Sequence, residues 1–165
     1  MKNRLLRILL VCCMVLAMLP FAVFAEEGAV SSEAELTAAI ANGGTVKLAN
    51  DITINASLNI SGTVTLDLND HVLKMTGSGS VIQVNGALTL TDSAESKTAK
   101  YFSKDENGLW TLLDGTTSKN TVSGGVITGG STGIGGGVMI RTGGTLAMTG
   151  GNIAGCRVNG QGGGV

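Results

Sequence analysis

Alternation of apolar and polar residues dominates the chain from Thr45 onward. The alternating runs are short, and Asn, Asp, Gly and Ser separate them. A period of two is the pattern of a half-buried β-strand, and these four residue types favour turns. The runs are TVKL, DITI, SLNI, TVTLDL, HVLKM, SVIQV and ALTLT. The pattern therefore predicts many short strands joined by tight turns.

One stretch before these strands has a helical pattern. Ser32 and Glu35 have the spacing of a capping box, in which each side chain accepts a free backbone N–H at the start of a helix. The pair Asn42–Gly43 predicts a left-handed stop. We therefore expect one short helix between Ser32 and Asn42. Its predicted apolar face comprises Leu36, Ala39 and Ile40.

The strand pattern also repeats. Four runs begin with glycine, continue with a small and then an apolar residue, and end in Leu or Met two positions later. They are GTVKL from Gly44, GTVTL from Gly62, GALTL from Gly86 and GTLAM from Gly144. Repeats of about 20 to 30 residues, with several strands and no helix in each, predict coils that stack on one another.

Alignment of these runs predicts which residues stack inside. One inner column would contain Val46, Val64 and Leu88, and a second would contain Leu48, Leu66 and Leu90. Another repeat lies further on, where SGGVITGG at 123–130 aligns with TGGNIAGC at 149–156. The run GGGV likewise recurs at 135–138 and 162–165. These offsets of 26 and 27 residues predict that both pairs lie on neighbouring coils.

Residues 1–25 have the three-part pattern of a secretory signal peptide. A basic start with Lys2, Arg4 and Arg7 precedes an uncharged apolar stretch. Small residues at Val23 and Ala25 suit signal peptidase, so we expect cleavage after Ala25. An uncleaved membrane anchor is the alternative, because the apolar stretch is near the lower length for a span. Cleavage predicts an extracellular or cell-surface protein that comprises residues 26–165.

Charge and composition limit the partners of this secreted chain. The formal net charge is −1, and removal of the three basic residues would leave −4. A mildly acidic chain is a poor partner for nucleic acid or for an anionic membrane. Charged residues make up only 14% of the chain and hydrophobic residues 43%, so the composition predicts a folded domain with an aliphatic core.

Together, these features resemble one family. The signal peptide, the helix before TVKLANDITI, and the runs LTLTDS, GGVITGG, GGGVMI and GGTLAMTGGNI look like the start of a bacterial right-handed parallel β-helix, the pectin-lyase-like superfold. The resemblance covers about 31–165 and implies an all-β solenoid with a short N-terminal capping helix. It implies a secreted or surface-attached protein but specifies no activity, because this fold carries many functions.

A polar segment interrupts the repeat. Residues from about 94 to 121 are rich in Lys, Ser, Thr, Asp and Glu, and they contain every aromatic residue after the signal peptide. We interpret this segment as a loop or hairpin inserted at one corner. Tyr101, Phe102 and Trp110 could stack against sugar rings of a glycan. Alternatively, they could pin the insertion to the solenoid by burying apolar area.

Other candidate residues have simpler explanations. Cys156 has no cysteine partner after signal cleavage and suits a small apolar position inside the solenoid, with a reactive or intermolecular thiol as the alternative. His71 follows an Asn69–Asp70 turn and is expected to be exposed, although a dyad with Asp70 or Asp51 is an alternative.

Four aspartates lie at or near strand ends, where turn formation accounts for them. They are Asp51, Asp67, Asp70 and Asp92. We therefore predict no catalytic residues, no metal site and no cofactor.

Two functions are consistent with these sequence features. The first is a noncatalytic secreted or cell-surface repeat protein for adhesion, display or contact with an extracellular glycan or a host or neighbouring cell. The second is the N-terminal part of a polysaccharide lyase or glycoside hydrolase, which rests on fold analogy alone. The sequence reaches Val165 within a recurring GGGV run, so we expect further coils to follow in a longer protein.

Overall fold

A computed structural model of the chain describes residues 28–115, 118 and 120–165. The predicted signal peptide and its cleavage point lie outside the described residues. The described part is all-β apart from one helix. The elements in chain order are β1 (Ala29–Val30), α1 (Glu33–Asn42), β2 (Gly44–Leu48), β3 (Ile52–Ile54), β4 (Leu58–Ile60), β5 (Thr63–Asp67), β6 (Val72–Met75), β7 (Ile82–Val84), β8 (Ala87–Thr91), β9 (Ala99–Lys104), β10 (Trp110–Leu112), β11 (Asn120–Ser123), β12 (Val126–Thr128), β13 (Ser131–Ile134), β14 (Val138–Ile140), β15 (Thr145–Met148), β16 (Asn152–Ile153) and β17 (Arg157–Gln161).

Most strands belong to parallel sheets that the chain visits in a fixed order. Sheet 1 contains β1, β2, β5, β8 and β15, sheet 2 contains β3, β6, β12 and β16, and sheet 3 contains β4, β7 and β14. The chain crosses these sheets four times, and we call each crossing a pass. Every pass goes from sheet 1 to sheet 2, and the first three passes go on to sheet 3. On the third pass β13 comes between sheets 2 and 3, and it pairs in parallel with β17 of the fourth pass. Equivalent strands of successive passes therefore lie side by side.

The four glycine-initiated runs all lie in sheet 1, as β2, β5, β8 and β15. Val64 pairs with Leu88 and Leu66 with Leu90, as the aligned runs predict. The later repeat is also confirmed, because Ile127 pairs with Ile153 across sheet 2. Backbone bonds such as Val138 N–H to the Gly164 carbonyl, at 2.8 Å, stack the two GGGV runs.

The predicted register between the first two passes is wrong by two residues. Val46 pairs with Leu66 rather than with Val64, so the inner column that begins at Val46 continues through Leu66. A strand has a side-chain period of two, so a shift of two residues leaves the same side chains on the same face. Val46, Leu48 and Val64 are all buried. The composition of the core was therefore predictable even where the register was not.

Buried side chains from all three sheets form one aliphatic core. Leu66 of sheet 1, Ile54 of sheet 2 and Ile60 of sheet 3 are fully buried in it. Fully burying one such side chain stabilises the fold by about 1.5–3 kcal/mol. Phe102 is the one buried aromatic among the described residues, and it lies in a separate, smaller cluster. The main core is aliphatic, as the composition predicts.

Helix α1 covers the first pass. Leu36 and Ile40 are buried in the main core, and Ala39 is partly buried against it, so the predicted apolar face is confirmed. Ser32 Oγ accepts the backbone N–H of Glu35 at 3.3 Å. The Glu35 carboxylate accepts the backbone N–H of Ser31 at 2.8 Å, so the reciprocal contact reaches one residue further back than a capping box requires. Gly43 ends the helix with a φ of 76°.

The segment that interrupts the repeat is an ordered antiparallel sheet. Its strands have the order β10–β9–β11 and follow sheet 1 on the third pass. We call these three strands the insertion sheet. Phe102 in its central strand packs with Val72 and Val126, which lie in sheet 2. The insertion is thus a hairpin with a third strand, and it lies against sheet 2.

Candidate functional site

Strand pairing places the three aromatic residues on two different faces of the insertion sheet. Phe102 is opposite Leu112, and Trp110 is two residues before Leu112, so both rings lie on the same face. Tyr101 is adjacent to Phe102 in β9 and lies on the other face. The three rings therefore do not form one platform. Phe102 is buried, Tyr101 is partly buried and Trp110 is 42% exposed.

A groove of about 440 Å³ separates the insertion sheet from the fourth pass. Phe102, Trp110 and Asn120 line it from the insertion, and Ala154 and Gly155 line it from the fourth pass. Asn120 is exposed and is opposite Phe102 in the strand pairing, so its amide lies on the groove face and is accessible from solvent. An exposed indole beside a hydrogen-bonding side chain suits a sugar ring, which has an apolar face and a rim of hydroxyl groups.

A second groove of about 250 Å³ is also lined by Trp110. It shares Trp110 and Gly155 with the first groove and adds Cys156 and Arg157. Gly155 has a φ of 64°, and a Cβ there would lie 2.8 Å from a ring carbon of Phe102. Position 155, which both grooves share, must therefore stay without a side chain for Phe102 to pack where it does.

Two basic side chains contribute to the surroundings of Trp110. Lys104 Nζ lies 5.2 Å from the centre of the indole ring, within the range of a cation–π contact. Arg157 is exposed in the second groove. None of the described residues that line the two grooves is Asp or Glu. The grooves therefore offer hydrogen-bond donors and an aromatic surface, without a carboxylate for acid–base chemistry.

The predicted aspartates lie at the corner that follows sheet 1, where they accept backbone hydrogen bonds. Asp92 accepts the N–H of Asp70 at 2.8 Å and the N–H of Gly125 at 2.9 Å. Asp67 accepts the N–H groups of Asn69 at 3.0 Å and Ser93 at 2.9 Å. Such contacts satisfy backbone donors of the turns where successive passes change direction.

Two lysines of the insertion bind this corner. Lys97 Nζ lies 2.6 Å from Asp92, and Lys100 Nζ lies 3.3 Å from Asp70. Asp70 also accepts the N–H of Thr98 at 2.9 Å and its hydroxyl at 2.8 Å. The sequence pattern indicated no role for these lysines. Their spacing forms no recognisable motif, because Asp70 lies on the preceding pass and only the stacking of the passes brings it to Lys100.

Burial and hydrogen bonding act in opposite directions on both aspartates. Burial alone would raise the pKa of Asp92, but the bonds from Lys97, Gly125 and Asp70 outweigh it and hold the pKa below its ordinary value. Burial likewise opposes ionisation of Asp70, and the contacts from Thr98 and Lys100 lower its pKa. Both groups are therefore held as carboxylates, which makes them anchors rather than proton donors near neutral pH.

His71 lies beside Asp51 rather than Asp70. Its Nδ1 is 3.4 Å from Asp51 Oδ1, and the imidazole is about one-third exposed. The same Asp51 oxygen accepts the backbone N–H of Val72 at 2.8 Å. The two side chains are in contact, as a dyad requires, but the Asp51 carboxylate also accepts a backbone hydrogen bond from a strand of the next pass.

Cys156 is half-buried and packs against the main core, where the inner-position interpretation places it. Burial raises the pKa of its thiol, against weaker opposing contacts from the backbone of Gly130 and Gly129. A thiol with a raised pKa is a poor nucleophile. Nothing in this environment activates it.

Within the described residues, no three His, Cys, Asp or Glu side chains form a group that could hold a metal ion. No helix in the same residues has the length and hydropathy needed to cross a bilayer. Comparison of the chain with protein-family models, curated proteins and solved structures finds no match.

Proposed function

We propose that sheets 1, 2 and 3 are the faces of a right-handed parallel β-helix in a noncatalytic secreted or cell-surface protein. Its role would be contact with extracellular glycans through Trp110. The order in which successive passes visit the sheets supports the solenoid, because stacked equivalent strands are the arrangement of that fold. The pattern of residues 1–25 supports secretion.

One observation carries the glycan proposal. Trp110 is a large aromatic side chain, 42% exposed, at the rim of a groove with an accessible Asn120. An exposed ring of this size costs solvation free energy unless a ligand covers it. Phe102 contributes a buried wall, and Tyr101 lies outside this groove. Of the three predicted contact residues, Trp110 is therefore the one that we assign to the ligand.

The test is glycan binding by purified protein and its Trp110→Ala variant. Immobilised plant, bacterial and host polysaccharides would be screened, and affinities would be measured by calorimetry. We expect the variant to lose binding by about tenfold or more while it unfolds at nearly the same temperature, because Trp110 contributes little to the core. Tyr101→Ala is the matched control and should retain binding.

Two results would reject this function. Failure of the unaltered protein to bind any polysaccharide would remove the glycan role. A large loss of stability in Trp110→Ala, with no specific loss of affinity, would mean that the indole pins the insertion sheet.

A further inference from the structure

We infer that the ligand of this site is a linear oligosaccharide chain that passes beneath Trp110, with at least one sugar unit on each side of the indole. This inference rests on the proposed function and specifies its ligand class. It assigns Asn120 and Arg157 as the specificity-determining residues at the two ends.

The first step is the continuity of the two grooves. Both are lined by Trp110 and Gly155, so they adjoin one another at these two residues. Their volumes are about 440 Å³ and about 250 Å³. Ligand pockets for small molecules typically enclose about 300–1,000 Å³. The smaller groove falls below that range alone, whereas the two together lie well within it.

The second step is the different chemistry of the two ends. Asn120 at the first end supplies an amide, which can both donate and accept hydrogen bonds. Arg157 at the second end is a cation that only donates. The inferred ligand is an extended chain that uses both ends while a central unit covers the indole.

The third step concerns the faces of the indole. Lys104 lies over the ring at 5.2 Å and occupies one face by a cation–π contact. A sugar can therefore stack on one face only, with units on either side held by the groove ends. This arrangement favours an internal part of a polymer over a terminal sugar.

The experiment measures affinity against ligand length. Cello-, xylo- and chito-oligosaccharides of one to six units would be titrated into the full chain by calorimetry. We expect affinity in the binding series to rise at least about tenfold from the single sugar to the trisaccharide and then to level off. Arg157→Ala should lower trisaccharide affinity several-fold and leave single-sugar affinity unchanged. Arg141→Ala is the matched control, because that exposed arginine bonds Gln83 Oε1 at 2.7 Å on sheet 3.

The outcomes separate the two proposals. Equal affinity for one unit and for three, or equal trisaccharide affinity in Arg157→Ala and Arg141→Ala, overturns the two-sided site and leaves the glycan function standing. No binding of any oligosaccharide, together with no binding in the polysaccharide screen, rejects the glycan function itself.

Discussion

Lys97 Nζ lies 2.6 Å from Oδ2 of Asp92, and the side chain of Asp92 is only 1% exposed. The same aspartate accepts backbone N–H groups from Asp70 on the preceding pass and from Gly125 after the insertion. One carboxylate therefore joins the start of the insertion to its end and to the neighbouring pass. This contact fixes the point from which the insertion sheet leaves sheet 1.

Asp92→Ala should destabilise the protein by about 2–4 kcal/mol, because the N–H groups of Asp70 and Gly125 lose their acceptor. Lys97 keeps the backbone carbonyl of residue 92, to which it also donates at 2.8 Å. Chemical denaturation followed by circular dichroism would measure the change. Glu95→Ala is the control, since Glu95 is an exposed carboxylate in the same segment and should change stability by less than about 0.5 kcal/mol. If Asp92→Ala changed the stability by a similarly small amount, the corner would not depend on the Asp92 carboxylate.

Stability should fall in acid. The pKa values of Asp70 and Asp92 are lowered in the folded protein, so near pH 4 the unfolded chain binds more protons than the folded one. Their contribution is fully present above the ordinary carboxylate pKa of about 4 and is lost as pH falls through the lower folded values. Denaturation between pH 7 and pH 2 should show this loss. It should be smaller in Asp92→Asn, and an unchanged pH profile in that variant would contradict the assignment.

Phe102 should hold the insertion sheet against sheet 2. It is 4% exposed and packs with Val72 and Val126. Phe102→Ala should cost about 3–5 kcal/mol and should speed amide exchange in β9, β10 and β11 before the rest of the chain. Tyr101→Ala is the control on the opposite face. Unchanged exchange in Phe102→Ala would mean that the corner contacts alone hold the insertion.

Two glycines at equivalent places in the repeat should respond differently to substitution. A Cβ at Gly86 would lie 2.2 Å from the Gly62 carbonyl oxygen, whereas a Cβ at Gly62 would meet nothing within 4 Å. Gly86→Ala should therefore destabilise the stack by more than about 1 kcal/mol. Gly62→Ala should be neutral or stabilising by up to about 1 kcal/mol. Thermal unfolding of both variants would test this, and equal effects would argue against the close approach of β5 and β8.

No glycan turnover is expected from this chain. Backbone N–H groups donate hydrogen bonds to the carboxylates of Asp67, Asp70 and Asp92. Asp51 accepts the N–H of Val72 and also contacts His71. Incubation of purified protein with polygalacturonate and with other plant and host glycans should release no products. Turnover that disappears in Asp51→Asn or His71→Ala would establish the enzymatic alternative.

The sequence by itself determined the strands of sheets 1 to 3, the helix and most of the content of the main core. Alternation fixes which face of a strand is apolar, and the glycine-initiated runs all lie in sheet 1, because equivalent residues recur on each pass. The capping pattern likewise located α1. These features depend on neighbours in the chain, so they can be predicted from local pattern.

Only the tertiary structure decided the register of the first two passes and the arrangement of the insertion. Val46 pairs with Leu66 because the length of the connecting turns sets the register, and the alternating pattern tolerates a shift of two residues. Trp110 faces the groove and Tyr101 faces away because pairing within the insertion sheet fixes their sides. Arg157 belongs to the fourth pass and lines the second groove together with Trp110. Packing of the insertion sheet against sheet 2 brings these two residues together, although they are far apart in sequence.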